Sequence, residues 1–395
     1  MYNFDECPDR VRERARKWDR KIIEKNFGKV PEGFIPMWIA DMDFKMPPEL
    51  EQALRAAIGR GALGYTYCYD EFYEAVMRWQ GDRHGATVEK EWITLSYGTV
   101  STLHYVIQAF CGPEDCVLMN TPVYEPFDSA ARRQGVKRIY NSLQLREGRY
   151  TINFTALKAQ LEQYKPQLYL FCSPHNPSGR IWSFEEMKTV ARLCREHDTI
   201  LVADEVHGEH IHQGKFHSAL MLKEAHSNLI LLTSPNKGFN LGGLKTSYSI
   251  IPDEKLRTRL RQKLEQNSVT SPNVFGIIGL IAAYDRCRPW LDEAAAYIRE
   301  NYELFASYIA AKIPQLQVME MEASYLAWVD IRRTGLSSGE VTRVLASRAG
   351  ALVENGAHFV RDGEGYIRVN LGTQRDNVLA VLKKMEEVLN QPPGR

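Results

Sequence analysis

The chain has 395 residues, 44% hydrophobic and 25% charged, enough to bury a sizeable core and to form two or three domains. A formal net charge of +1 argues against a nucleic-acid footprint, which would show as a clustered basic excess, and the longest apolar stretch, residues 274–284, is far short of the ~20 residues a membrane-spanning helix needs. Seven cysteines without a CxxC pair suit reduced thiols in the cytoplasm, and the charged N-terminus lacks the apolar region of a signal peptide.

Residues 1–33 read as a polar arm with one short helix, and the basic run at 10–21 (RVRERARKWDRK), interrupted by Glu13 and Asp19, reads as a solvated helical face. An apolar segment at 35–44 ends in Asp41, Met42 and Asp43, after which Pro47 and Pro48 start a helix reaching about residue 60. Residues 61–70 (GALGYTYCYD), aromatic and glycine-rich, fit a packed tyrosine corner. At 93–104 a strand passes through Tyr97, Gly98, Thr99 and Val100 into an apolar helix. A glycine ahead of a helix start leaves free N–H groups and the positive dipole end, which is an anion site. The next short strand, 116–120, delivers Thr121-Pro122-Val123-Tyr124, where an aromatic is equally at home in a core.

Three later apolar runs end in polar chemistry. Residues 168–180 (LYLFCSPHNPSGR) stop in turn formers around Asn176, residues 199–207 (TILVADEVH) close on Asp204, and residues 231–245 (LLTSPNKGFNLGGLK) present Lys237. Strands and helices alternate to about residue 251, with helices over 184–197, 253–266 and 272–287, which argues a mostly parallel, doubly wound sheet. Ligands sit outside the carboxyl ends of such strands, so Asn176, Asp204 and Lys237 can meet on one ligand. A lysine of lowered pKa is a nucleophile toward a carbonyl, although Lys237 alone also reads as a surface lysine. Cys172, next to these residues, reads as core. His207, His210, His212 and His217 invite a metal reading, but no HExxH helix or cysteine pair completes a ligand set, so none is expected.

Residues 289–313 read as one helix leading out of the large domain, stopped by Pro314. Strand-like 318–321 and 325–331, a helix over 338–348 and residues 351–359 then form a small α/β domain, in which DGEGYIRVNLG puts Arg368 on a strand after a turn. Such an arginine is commonly a surface ion-pair residue. The expected division is an N-terminal arm joining the small domain (1–45), a large domain (46–288) and a small C-terminal domain (289–395), with a loose tail at 391–395.

Asparagine, aspartate and lysine in this order and at these separations resemble the fold-type I pyridoxal-phosphate enzymes. The motifs PMWIADMDF (36–44), TPVYEPF (121–127), SPHNPSGR (173–180), ADEVH (203–207) and SPNKGFNLGGLK (234–245) resemble the cystathionine β-lyase and C–S lyase branch related to class I/II aminotransferases, over residues 18–368. The resemblance implies an α/β fold with a mostly parallel seven-stranded sheet, and pyridoxal 5'-phosphate as cofactor. It places Lys237 at the cofactor aldehyde, Asp204 at the ring nitrogen, Asn176 at the phenolic oxygen and the substrate, and Tyr124 on the ring face. Gly98, Thr99, Val100 and Ser234 fall at the phosphate. So does Lys245, which stands where many relatives carry arginine and which cannot grip phosphate bidentately. His207 stands where aminotransferases often place a tyrosine against the phenolic oxygen. Ala40 belongs to the substrate wall, and Arg368 takes the substrate α-carboxylate through a bidentate fork. Tyr65 reaches the phosphate of the neighbouring subunit, which makes the active unit a homodimer.

The implied reaction starts with removal of the α-proton by Lys237. Expulsion of sulfur from the β-carbon then gives a thiol, ammonia and pyruvate, whereas reprotonation at the cofactor gives transamination. ADEVH and WIADMDF favour the β-lyase, with an aminotransferase as the alternative and a cofactor-binding regulatory protein as the third reading.

Overall fold

The computed structural model describes residues 2–390, so the tail expected at 391–395 lies outside the described residues. Seven strands form the large sheet, in spatial order Ile93–Ser96, Ser247–Ile250, Leu229–Thr233, Ile200–Asp204, Leu168–Cys172, Cys116–Thr121 and Lys137–Ser142. Five run parallel. Ser247–Ile250 lies antiparallel to both of its neighbours. The central strands Leu168–Cys172 and Leu229–Thr233 are buried along their whole length, as strands covered on both faces by helices must be. They are written as unbroken apolar runs for that reason.

Helices flank this sheet close to their expected bounds: Phe184–Glu196, Glu254–Gln266, Val274–Arg286 and the long Arg288–Lys312. Phe184–Glu196 starts from a capping box, in which Ser183 Oγ accepts from Glu186 N and Glu186 Oε2 accepts from Ser183 N. Val274–Arg286 comes so close to the segment after Lys237 that a Cβ at Gly276 would run into Thr246 Oγ1. A helix at Asp70–His84, absent from the expectations, buries Phe72, Ala75, Val76 and Trp79 on one face. The expected 338–348 helix is α-helical over Ser338–Val344 and then widens into a π-turn over Leu345–Ala349.

A second sheet runs Ile35–Met37, Ala351–Asn355, Tyr366–Asn370, Leu326–Asp330 and Gln317–Val318. The N-terminal strand pairs in parallel with Ala351–Val353, so the segment leading to Ala40 is carried by the C-terminal part of the chain.

Two expectations are corrected. The basic run at 10–21 is not a solvated helix: the α-helix begins at Arg20, and Lys17 is fully buried with Nζ 2.7 Å from Asp43 Oδ2. Acidic partners some thirty residues away draw Lys17 and Arg10 inward, a pairing that local charge spacing does not report. Nor are residues 61–69 a packed tyrosine corner, because Tyr65 and Tyr67 are exposed on a stretch without regular structure.

Candidate active site

The carboxyl ends of the central strands deliver the reactive side chains to one place. Asp204 is the last residue of its strand and pairs in register with Cys172, whose strand leads through Pro174 to Asn176. Lys237 follows the end of Leu229–Thr233 by four residues. Together with Tyr124, His207, Ser234, Lys245, Ala40, Gly98, Thr99 and Val100 they line a cavity of about 200 Å³. Ser101, Asn236, Tyr97 and Cys172 line it as well; Ser101 and Asn236 were not singled out from the sequence. Cys172, read as core, is buried and borders the cavity at once.

Gly98 shapes the side of the cavity formed by a helix start. It precedes the helix Thr99–Phe110 with φ 128°, a conformation open to glycine, and no side chain caps this helix start. The first-turn N–H groups therefore face the cavity mouth with the positive end of the dipole. Gly98 N itself donates to Ser247 Oγ at 2.8 Å, which pins the turn to the antiparallel strand. Lys245 and Ser234 line the same cavity.

Lys237 is partly buried, which removes the surface-lysine alternative. Its Nζ donates to the Ala40 carbonyl at 2.6 Å. Burial pushes its pKa down to about 8, with Arg368 and Lys245 acting in the same direction and Asp41 and Asp204 opposing. Asp204 is raised to about 6 by burial, offset by the Val206 N–H that it accepts at 3.1 Å and by Lys237. His207 is held well below its usual value, first by burial and then by Lys237, and its Nδ1 lies 3.0 Å from Ser324 Oγ. It is a neutral ring that can hydrogen-bond without adding charge. Burial also raises the Tyr124 phenol.

Arg368 lies behind Asn176 rather than on the cavity wall. It is 3% exposed, donates from Nη1 to Asn176 Oδ1 at 3.2 Å and from Nη2 to the Trp38 carbonyl at 2.8 Å, and leaves Nε buried without a partner. A buried guanidinium held by neutral oxygens, with one N–H unmatched, has unused capacity for a carboxylate. Of the candidates, neither Arg368 nor Tyr65 lines the cavity: Arg368 is joined to it through Asn176, and Tyr65 stands fully exposed. Tyr325, whose hydroxyl shares the Ala40 carbonyl at 3.1 Å, escaped the sequence reading because it arrives from the second sheet.

Among the described residues no group of three or more His, Cys, Asp or Glu is placed to hold a metal ion. A wider cleft of about 690 Å³, near His84, Lys215, Arg288 and Arg299, gathers none of the strand-end residues. Chemistry, not volume, selects the site.

Residues 34–385 match the family model described as aminotransferase class I and II. The cystathionine beta-lyase PatB of Bacillus subtilis is 33% identical over 390 residues, covering 98% of this chain and all of that protein. Cystalysin of Treponema denticola, solved with pyridoxal 5'-phosphate, superposes with a TM-score of 0.95 at 28% identity, over 98% of this chain and 99% of its own. The PLP-bound C-S lyase of Staphylococcus hominis gives 0.91 at 30%, over 99% of each chain. A family match spanning most of the chain, on a sheet whose strand ends gather Asn176, Asp204 and Lys237, makes this protein a member of the class I and II aminotransferase family, with the fold-type I α/β fold.

Proposed function

We propose that the protein is a pyridoxal-phosphate-dependent carbon–sulfur β-lyase that cleaves L-cystathionine or a related S-substituted cysteine to a thiol, ammonia and pyruvate. The observation that carries this reading is the meeting of Lys237, Asp204, Asn176 and Tyr124 in one cavity closed by an uncapped helix start. The lyase branch is supported by the names of the Bacillus and Staphylococcus relatives.

The residues fit the cofactor. An anion-binding helix end with Ser234 and Lys245 suits a phosphate, a buried carboxyl suits a ring nitrogen, and the amine of Lys237 suits an aldehyde. When bound, pyridoxal phosphate supplies a sink for the electron pair left at the substrate α-carbon. Each protein group then has a definite task. Lys245 neutralises the phosphate as a point charge, and the N–H groups of Thr99 to Ser101 supply directed hydrogen bonds. Asp204 holds a proton at the ring nitrogen, and Tyr124 covers one ring face. Asn176 and His207 would offer hydrogen bonds to the phenolic oxygen of the bound cofactor. Arg368 takes the α-carboxylate and orients the α-hydrogen toward Lys237 Nζ, with Ala40 on the substrate wall. Lys237 removes that proton, and the C–S bond breaks with its electron pair leaving on sulfur, which takes up a proton as the thiol. The three-carbon remainder adds water and yields pyruvate and ammonia. The active unit in this reading is a cytoplasmic homodimer, with Tyr65 reaching the neighbouring subunit's phosphate and a small domain (289–395, with the 1–45 arm) packed on a large one (46–288).

The test is direct. The cofactor-loaded protein is incubated with cystathionine or S-methylcysteine and no keto acid, and pyruvate is followed against Lys237→Ala. Sustained release, reduced by a factor of about 10² or more in the variant, is the expected result. Turnover that begins only when a keto acid is added would identify an aminotransferase instead.

A further inference from the structure

His207 is held from the second sheet. Residues 322–324, ahead of the strand Leu326–Asp330, are bonded to both loops that carry the cavity residues Asn176 and His207. Ala323 N donates to Gly179 O at 2.9 Å and Ser324 N to His210 O at 2.8 Å, while Glu322 O accepts from His212 N at 2.8 Å and from Gln213 N at 3.1 Å. Gly179 has φ 70°, and a Cβ there would stand 2.9 Å from Ala323 O. Ser324 has φ 72°, a left-handed conformation that a residue other than glycine keeps only where its surroundings fix it.

Ser324 Oγ, fixed in this way, lies 3.0 Å from His207 Nδ1, and both residues are buried. Among the described residues Oγ has no other hydrogen-bond partner, so its proton has a single acceptor, Nδ1. The reverse arrangement, Nδ1–H donating to Oγ, would leave a buried hydroxyl proton unmatched. A neutral imidazole carries one proton, so an Nδ1 that accepts puts that proton on Nε2. Nε2 has no protein partner among the described residues, and the ring lines the cavity. Tyr325, the residue after Ser324, crosses the His207 ring at 63° with centroids 6.4 Å apart, so the same segment also limits how the ring turns.

We propose that Ser324 is a positioning residue for His207: its hydroxyl donates to Nδ1 and so fixes the ring as a donor, with its proton on Nε2, at the cavity wall. The inference rests on the place given to His207 in the function proposed above. Without a partner at Nδ1 the ring can present either an N–H or a lone pair from Nε2. A lone pair repels a ligand oxygen that carries negative charge, such as the ionised phenolic oxygen of pyridoxal phosphate, whereas an N–H binds it. The serine removes that ambiguity from a segment of the chain that touches no ligand itself.

The readout is the protonation of the two ring nitrogens, followed by nitrogen NMR of isotope-labelled histidine in the full-length chain with and without pyridoxal phosphate; His207→Gln locates the His207 signals. Wild type is expected to show Nε2 protonated and Nδ1 bare in both states. A proton on Nδ1 would overturn the proposal without any variant. Ser324→Gly removes the hydroxyl and suits the left-handed backbone, so the fold is kept, with circular dichroism as the check. Free of cofactor, that variant is expected to lose the single Nε2–H form and share the proton between both nitrogens. An unchanged Nε2–H ring, the result for a serine that only packs, would overturn the proposal. The variant should also bind pyridoxal phosphate about threefold or more weakly in a fluorescence titration, and equal affinity would overturn it as well. Should Ser324→Gly fail to fold, Ser324→Ala removes the same oxygen and keeps the Cβ. The proposal and the lyase reading fail separately. An Nε2–H ring held by Ser324 in a protein that releases no pyruvate leaves the positioning residue standing and removes the lyase, and a proton on Nδ1 in a protein that releases pyruvate does the reverse.

Discussion

Burial sets the function of Asp204 against stability. Its carboxyl titrates at about 6 in the folded chain, against 3.8 for an ordinary aspartate. Between those values the folded state binds more protons than the unfolded one, so stability falls as the pH rises through that window and stays reduced above it. Asparagine cannot ionise, yet it keeps an oxygen for the Val206 N–H. The cofactor-free Asp204→Asn protein is therefore expected to be more stable than wild type at pH 7, by about 1–3 kcal/mol, with the gain vanishing toward pH 4. Urea unfolding of both proteins across that range checks it. Equal stabilities at pH 7 would show that the carboxylate carries no burial penalty. The same substitution removes the group that would keep a ring nitrogen protonated, so greater stability accompanies lost turnover, as expected where a site is built for a ligand rather than for the empty fold.

Among the elements, the helix Val274–Arg286 braces the segment that carries Lys245. Thr246 and Leu244 press against its Gly276 and Gly279, where a Cβ would meet Thr246 Oγ1 and, at 2.7 Å, Leu244 Cδ1. Gly276→Ala is expected to cost about 1–3 kcal/mol by overpacking and to push the 242–247 segment outward. Fluorescence titration should then show weakened cofactor affinity, although residue 276 touches no ligand; unchanged affinity would mean that this helix does not set the position of Lys245. These contacts also mark where sequence reading stops. Parallel strands buried on both faces read as apolar runs with punctuated ends, so Asn176, Asp204 and Lys237 could be placed at strand ends from their spacing. Ser101, in the first turn of the helix Thr99–Phe110, and Asn236, next to Lys237, adjoin the motifs already named and could have been found by extending them. Tyr325 could not, because it crosses from the second sheet, and Lys17 and Arg10 looked solvated because their partners lie far along the chain. The helix Asp70–His84 opens at Tyr69 without a side-chain cap, so the usual start signal is missing although its buried face has regular spacing.

At the scale of the whole molecule, the exposed apolar residues are clustered. Ile58, Leu63, Tyr65 and Tyr67 are 60%, 57%, 101% and 72% exposed within ten residues, and Val100 at the cavity edge is 39% exposed. Single exposed apolar side chains are ordinary, but four so close together, Ile58 at the end of the helix Pro48–Gly59 and the other three on irregular backbone, suit the dimer surface proposed above. Homodimerisation, the proposed state, covers it with a second copy and delivers Tyr65 to the neighbouring cavity. Sedimentation velocity should then give a dimer, and two substitutions should separate the two functions of this surface. Tyr65→Phe keeps the aromatic face and removes one hydroxyl, so it should leave the dimer intact while weakening cofactor binding about tenfold, the worth of one hydrogen bond to a charged group. Leu63→Glu puts a charge into the covered face and should shift the protein toward monomer, with cofactor affinity then depending on protein concentration. A monomeric wild type that binds the cofactor with the same affinity at every dilution would show that each cavity is complete within one chain, and Tyr65 would have no place at the phosphate.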